Sequence, residues 1–211
     1  MRRLSILSLV VCLVLLVLLT AAILAGRQQP ISLQLKTLRL TDCELPCWIG
    51  IVPGQTSVEA ARERIATVFG QAAFLQTEVR ASNSSLDMPI WRIAASSSPI
   101  VVRLGAHDGK TVDTIVFSFY DGQITVADLH RLLGAPSQMV RWHQNFPYYG
   151  VAYGTDTHGL MAFTDISETF HWTQPVQAIV LYANGRLPIS PDDLFPWFGF
   201  HSLRNYYARM P

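Results

Sequence analysis

An uncharged N-terminal segment constrains this chain more than any other feature of its sequence. Arg2 and Arg3 are followed by a run from Leu4 to Ala25 that contains no charged residue. A helix rises about 1.5 Å per residue, so this run is long enough to cross a hydrocarbon core of about 30 Å. We therefore predict a transmembrane signal anchor over residues 1–27, with the membrane contacted through residues 4–25.

The location of the rest of the chain depends on whether this segment is retained. A cleaved secretory signal has a shorter apolar region, of about 7 to 15 residues, and ends in small residues. Here Ile23 and Leu24 stand near the end. The run opens the chain as a signal does, and Cys43 and Cys47 suit an oxidising compartment. We expect a single-pass protein of the cell membrane with an extracytoplasmic C-terminal domain; the alternative is secretion after cleavage.

Length and charge limit the domain count and the partners. The chain has 211 residues, which is enough for the anchor and one ordinary domain. Its formal net charge is +1. No basic stripe interleaved with aromatic residues is present, so we expect no nucleic-acid partner. The membrane and a protein partner at the cell envelope are the partners that remain.

The cysteine pair Cys43 and Cys47 allows several interpretations. A disulfide can close this small loop if the backbone turns at Leu45-Pro46. A zinc site would need further ligands at metal-binding spacing, and a redox pair normally has the spacing Cys-x-x-Cys, so we expect no metal and no cofactor. We predict a disulfide that holds Trp48 against the domain; free or differently paired thiols are the alternative.

A helix is predicted directly after the cysteine segment. Thr56-x-x-Glu59 has the spacing of a capping box, with Ser57 as a competing cap. The apolar residues that follow recur at helical spacing, and Gly70 provides a stop. We therefore predict a helix from about Ser57 to Phe69.

The second half of the chain repeats this pattern. The segment from Gly122 to Leu129 aligns with the segment from Gly54 to Ala61, which places Thr125 on Ser57. The second helix is predicted to end at Gly134, just before Pro136.

Each helix is followed by strand-like segments rich in β-branched and aromatic residues, separated by turn residues. We predict an α+β fold: two helix-plus-antiparallel-sheet repeats behind an N-terminal transmembrane helix. The predicted strands are Phe74–Val79, Ile90–Ala94, Ile100–Leu104, Val112–Tyr120, Gln138–Trp142, Tyr148–Tyr153, Gly159–Phe163 and Ala178–Tyr182. The predicted boundaries are 1–27 for the anchor, 28–41 for a spacer, 42–121 for the first unit and 122–211 for the second, whose C-terminal tail is predicted to be helical from Ser190.

The sequence offers little support for catalysis. It has no nucleophile elbow, phosphate loop, dinucleotide fingerprint or zinc-protease motif, and its histidines are scattered. We expect no catalytic residues, so a non-catalytic binding or scaffolding domain is the leading hypothesis. The alternative is an extracytoplasmic hydrolase-type enzyme with a site in the 156–171 loops, where residues of suitable chemistry are Asp156, His158, Asp165, Glu168 and His171.

A concentration of aromatic residues in the second half is the candidate binding surface, because aromatic side chains dominate the energetics of many interfaces. The competing interpretation is aromatic pairing across strands, which stabilises a sheet. The residues are Trp142, Phe146, Tyr148, Tyr149, Tyr153 and Trp172.

Three segments carry a resemblance to known proteins: CELPCWIGIVPGQTSVEAA from Cys43, GQITVADLHRLLGAP from Gly122 and WFGFHSLRNY from Trp197. Together they resemble an uncharacterised family of bacterial membrane-anchored extracytoplasmic proteins with the motif C-x-L-P-C-W-x-G-I-x-P-G-x-T, which implies no activity. The second segment is also similar to a helix of the SmpA/OmlA envelope lipoproteins and of β-lactamase inhibitor proteins. That similarity implies a helix layer on an antiparallel sheet and a binding role. The chain lacks their lipobox cysteine, so lipid anchoring is not implied.

Overall fold

The computed structural model of the protein separates an N-terminal segment, Met1–Ile31, from a folded part, Ser32–Pro211. The residues that it describes are 2–27, 31–70, 74–75, 90–93, 99–120, 122–142, 148–155, 158–164, 171–183, 190, 193–197 and 199.

Helix α1 covers Arg2–Arg27 in the N-terminal segment. Its side chains are described at positions 10–21 and 24, where the valines and leucines are more than half exposed. Within the described part of the chain, no helix combines the length and the apolar character needed to cross a membrane. The transmembrane anchor stays a prediction.

The helix predicted from Ser57 is present as α3, Val58–Phe69, and follows a short helix α2, Leu33–Leu38. Ser57 is the cap, because its hydroxyl accepts a hydrogen bond from the Ala60 N–H. The competing Thr56 hydroxyl instead accepts from the Val52 N–H, 2.8 Å away, and shapes the preceding turn.

Helix α4, Val126–Leu133, begins with a complete capping box. The Thr125 hydroxyl accepts from the Asp128 N–H, while the Asp128 carboxylate accepts from the Thr125 N–H at 3.0 Å. The helix ends at Gly134, whose φ of 83° favours glycine, as the sequence predicts.

Each of the eight predicted strands has a counterpart among the described residues, although residues 76–79 of the first and 94 of the second lie outside them. The described part of the chain adds a ninth strand near its end. The structure thus confirms an α+β fold with an antiparallel sheet. The strands are β1 Phe74–Leu75, β2 Ile90–Ile93, β3 Ile100–Gly105, β4 Thr114–Ser118, β5 Gln138–Trp142, β6 Tyr148–Gly154, β7 Gly159–Thr164, β8 Val176–Tyr182 and β9 Leu194–Pro196.

The described strands form one sheet in the order β1-β2-β3-β4-β8-β7-β6-β5-β9. Strands β1–β4 make a first meander and β5–β8 a second. The last strand of each meander, β4 or β8, lies at the centre of the sheet, where the two pair antiparallel. We call this pairing the β4–β8 interface.

Alternate residues of β4 face opposite sides of the sheet, as strand geometry requires. Ile115 and Phe117 are fully buried, and Phe117 faces the side on which Trp48 packs. Val116 is partly buried on the opposite side, against a second apolar cluster. The buried members of this cluster are Val140, Ala152, Met161, Phe163, Val180 and Tyr182.

The edge strand β9 was not predicted. It pairs with β5 at the end of the sheet and includes Pro196, which edge strands tolerate. Arg141 of β5 holds it through an ion pair with Asp193 at 3.1 Å and lies 5.2 Å from the centre of the Phe195 ring. The structure thus has a strand at Leu194–Pro196 in the tail that the sequence predicts to be helical; from residue 200 onward that tail lies outside the described residues.

Candidate functional site

The cysteine segment forms a junction between α2 and the sheet. Cys43 and Cys47 are bonded, with an S–S distance of 2.15 Å and α-carbons 5.6 Å apart. The predicted disulfide is therefore confirmed, and the peptide bond at Leu45-Pro46, where a turn was required, is cis.

Trp48 follows the disulfide and is fully buried. Its indole N–H donates a hydrogen bond to the carbonyl oxygen of Leu38 in α2. Its ring stacks on Phe69 of α3, with centroids 5.8 Å apart, and meets Phe117 of β4 edge-on at 4.8 Å. One side chain thus joins α2, α3 and the centre of the sheet.

The turn after Trp48 is strained. Trp48 and Ile51 exchange two backbone hydrogen bonds, of 2.9 and 2.7 Å, around the pair Ile49-Gly50. Both central residues have positive φ, 46° at Ile49 and 80° at Gly50. A β-branched residue rarely adopts this conformation, so we infer that the disulfide and the burial of Trp48 hold the turn in place.

We expect the Cys43→Ser/Cys47→Ser variant to lose about 2 kcal/mol of unfolding free energy, the value for so small a closed loop if the bond acts by restricting the unfolded chain. Chemical unfolding of the full-length variant with and without reductant tests this. Reductant should change the unfolding midpoint of the parent and leave that of the variant unchanged. Quantitative labelling of both thiols in the native parent without reductant would contradict the bond itself.

The predicted aromatic surface is divided by the fold. Tyr149 and Tyr153 are only 8% and 4% exposed and lie with the buried Val151 on one face of β6. Burial also raises the pKa of the Tyr153 hydroxyl. These two rings therefore belong to the packing of the sheet. Phe146 lies outside the described residues, as do the side chains of Trp142 and Tyr148.

Among the members of this set whose side chains the structure describes, Trp172 reaches the surface, at 42% exposure. Its carbonyl oxygen accepts a hydrogen bond from the Ala127 N–H at the start of α4, at 2.9 Å. Its ring meets His130 of α4 edge-on, with centroids 4.6 Å apart. The side chain is thus exposed and yet held by α4.

A second exposed aromatic residue, Tyr120, was not singled out from the sequence. It is 68% exposed and follows β4. The chain that follows β4 runs beside the start of β8 and the segment before it: Phe119 donates to the Gln177 oxygen in β8, and Val126 donates to the Gln174 oxygen. Tyr120 and Trp172 therefore lie on neighbouring segments, and we call them the aromatic patch. The sequence feature that could have pointed to Tyr120 as a surface residue is its position at the end of a predicted strand.

The histidines of the alternative enzyme site are separated. His158 lies directly before the first residue of β7. His171 lies five positions before Val176, which pairs with Thr164, the last residue of β7. His171 is therefore near the other end of that strand. At about 3.3 Å per residue, the ends of β7 are about 17 Å apart. Asp156, Asp165 and Glu168 lie outside the described residues. The two histidines thus belong to different ends of the sheet.

Among the residues that the structure describes, no group of three metal-ligating side chains is placed to hold an ion. Comparisons of the chain with protein-family models, with curated proteins and with solved structures gave no match. The resemblances drawn from the sequence motifs stay predictions.

Proposed function

We propose that the protein is a non-catalytic, membrane-anchored binding module whose extracytoplasmic domain contacts a partner protein at the cell envelope through the aromatic patch. The observation that carries the proposal is Trp172, which is exposed although its backbone and ring are both fixed by α4. Tryptophan and tyrosine dominate binding hot spots, and a side chain held in place before binding loses little entropy in the complex.

The proposed location follows from the N-terminal segment. Exposed leucine and valine side chains along α1 support a membrane anchor, and the Cys43–Cys47 disulfide supports an oxidising compartment outside the cytoplasm. Mass spectrometry of the native N-terminus tests the anchor. If the native protein lacked residues 1–27, the segment would be a cleaved signal and the protein would be secreted.

We further propose that the folded part is an internal duplication. Two pairs of backbone hydrogen bonds support it. In the first half, Val58 donates to Lys110 and Val112 to Thr56, both at 2.9 Å. In the second, Val126 donates to Gln174 at 3.1 Å and Val176 to Ile124 at 2.8 Å. Each pair ties the start of a helix to the segment before a central strand.

The duplication predicts matched responses to matched changes. Ser57→Ala and Thr125→Ala each remove the hydroxyl that caps a helix, so each should cost about 1 kcal/mol of unfolding free energy. A large cost in one half and none in the other would count against equivalent roles.

Photo-cross-linking in native membranes tests the binding surface. A photoreactive amino acid replaces Thr173, the exposed residue after Trp172, in the full-length chain, and the matched control carries it at Lys110, an exposed position in the loop before β4. We expect a discrete adduct from position 173 that weakens at least tenfold when Trp172→Ala or Tyr120→Ala is added, since loss of a hot-spot side chain costs about 2 kcal/mol. Equal adducts from both positions, or none from position 173, would reject the aromatic patch as the contact surface.

A further inference from the structure

The loops that lead into the two central strands share a sequence pattern beyond the helix starts. His107 and His171 open the two segments, and Val112 and Val176 follow at the same distance. The strands then continue with Ile115-Val116-Phe117 in β4 and Ile179-Val180-Leu181 in β8. The same spacing of 64 positions relates every one of these pairs.

The strand register at the β4–β8 interface has the symmetry that this pattern requires. Val116 pairs with Val180, its own equivalent. On one side of that pair Ile115 faces Leu181, and on the other Phe117 faces Ile179. Leu181 is the equivalent of Phe117, and Ile179 is the equivalent of Ile115. The two pairs beside the central one are therefore equivalent to each other. This is the arrangement of an interface with a two-fold axis, here through the pair Val116 and Val180.

We infer that the β4–β8 interface is a homodimer interface contained within one chain, and that two copies of the chain can exchange halves across it. In the exchanged dimer, β4 of each copy pairs with β8 of the other. The inference rests on the proposed duplication, because only equivalent halves make a self-complementary interface. The partner that this surface fits is a second copy of the same chain.

The link between the halves decides which form is populated. Both forms contain the same strand pairing, so they differ mainly in the conformation of the link and in the entropy of association. The link leaves β4 at Ser118 and reaches α4 at Val126. It contains the exposed Tyr120 and Gly122, which has φ of 64°. The link can close within one chain because its two ends lie beside adjacent residues of β8: Phe119 donates to the Gln177 oxygen, and Val176 donates to the Ile124 oxygen. A stiff link that holds these ends far apart should therefore prevent closure within one chain.

The first experiment changes the stiffness of the link in the full-length chain, in detergent and with Cys12→Ser to remove the free thiol. Insertion of ten prolines after Gly122, which extend over about 31 Å, should convert the protein to a dimer by light scattering. Insertion of ten glycine and serine residues at the same place is the matched control and should leave it monomeric.

A cross-link across the interface distinguishes exchange from other association, including two anchors that share a micelle. Ser118 and Ala178 face each other on β4 and β8. Because Phe119 donates to the Gln177 oxygen, the adjacent pair is a closely spaced one without hydrogen bonds. The Ser118→Cys/Ala178→Cys variant should therefore oxidise readily. With the proline link the bond should join two chains on a non-reducing gel, whereas with the glycine-serine link it should remain within one.

A chain with the proline link that is monomeric and cross-linked within itself would overturn the inference. A second measurement does not depend on the folding of that variant. The double-cysteine chain with its natural link is unfolded in reductant, refolded at increasing protein concentration and then oxidised. Exchange predicts that the interchain fraction rises with concentration, and an interchain fraction of zero throughout would overturn it. The Ser57 and Thr125 variants test the duplication separately, since their stability does not report on the association state.

Discussion

Replacing Trp48 with alanine should lower the free energy of unfolding by about 3 to 5 kcal/mol, the range for removal of a large aromatic side chain from a core. The ring is fully buried between Phe69 and Phe117, and its N–H satisfies the Leu38 carbonyl group. The variant therefore loses packing on α3 and on β4 as well as the hydrogen bond to α2. Urea unfolding of the full-length protein, followed by backbone circular dichroism, measures the loss without relying on tryptophan fluorescence.

The matched control is Trp48→Phe, which keeps an aromatic ring and removes the indole N–H. It should cost about 1 to 3 kcal/mol, because the Leu38 carbonyl group loses its buried partner. The difference between the two variants isolates the packing contribution. If the alanine variant were no less stable than the phenylalanine variant, packing of Trp48 would not stabilise the junction.

The parts of the fold that local chemistry determines could be predicted from the sequence. Ser57 and Thr125 accept hydrogen bonds from N–H groups three residues ahead, and Gly70 and Gly134 adopt positive φ at the helix ends. These interactions lie within a few residues of each other, so the sequence places both helices within one residue. The disulfide was predictable for the same reason: its loop is short and has a turn residue, Pro46, inside it.

The exposure of the aromatic side chains was not predictable, because it depends on contacts between distant parts of the chain. Strand alternation places Tyr149, Val151 and Tyr153 on one face of β6, but it does not show that other elements cover both faces. In the structure Ala152, on the opposite face, is buried as well. The segments that carry Tyr120 and Trp172 are neighbours because β4 pairs with β8. That central pairing joins the two halves and has no signal in either strand alone.

Strand β9 was missed for a different reason. Its three residues end in Pro196, and proline within a strand-like run counts against a strand in the interior of a sheet. The ion pair that holds it joins Arg141 to Asp193, which are 52 positions apart. A helix start at Ser190 was the stronger local signal, since proline and acidic residues favour the first turn of a helix.

Gly150→Ala is expected to destabilise the protein by about 3 kcal/mol, at the upper end of the usual cost of overpacking. Gly150 lies in β6 between Val140 of β5 and Phe163 of β7. A methyl group there would lie 2.1 Å from the carbonyl oxygen of Ala162 and 3.2 Å from the α-carbon of Phe163. These are backbone atoms, so no rotation of a side chain can make room, and β6 and β7 must separate beside the register shift between Phe163 and Thr164.

The control for this variant is Gly109→Ala, which separates crowding from backbone conformation. Gly109 has φ of 66° and open space where a methyl group would lie, so alanine there should cost only about 1 to 2 kcal/mol, through its left-handed conformation. Urea unfolding of both full-length variants gives the comparison, and hydrogen exchange should show faster opening of the β6–β7 pairing in Gly150→Ala alone. Equal stability of the two variants, with unchanged exchange in β6 and β7, would mean that these strands separate at little cost. In that case the second meander would be a far less rigid support for the β4–β8 interface than its close packing implies.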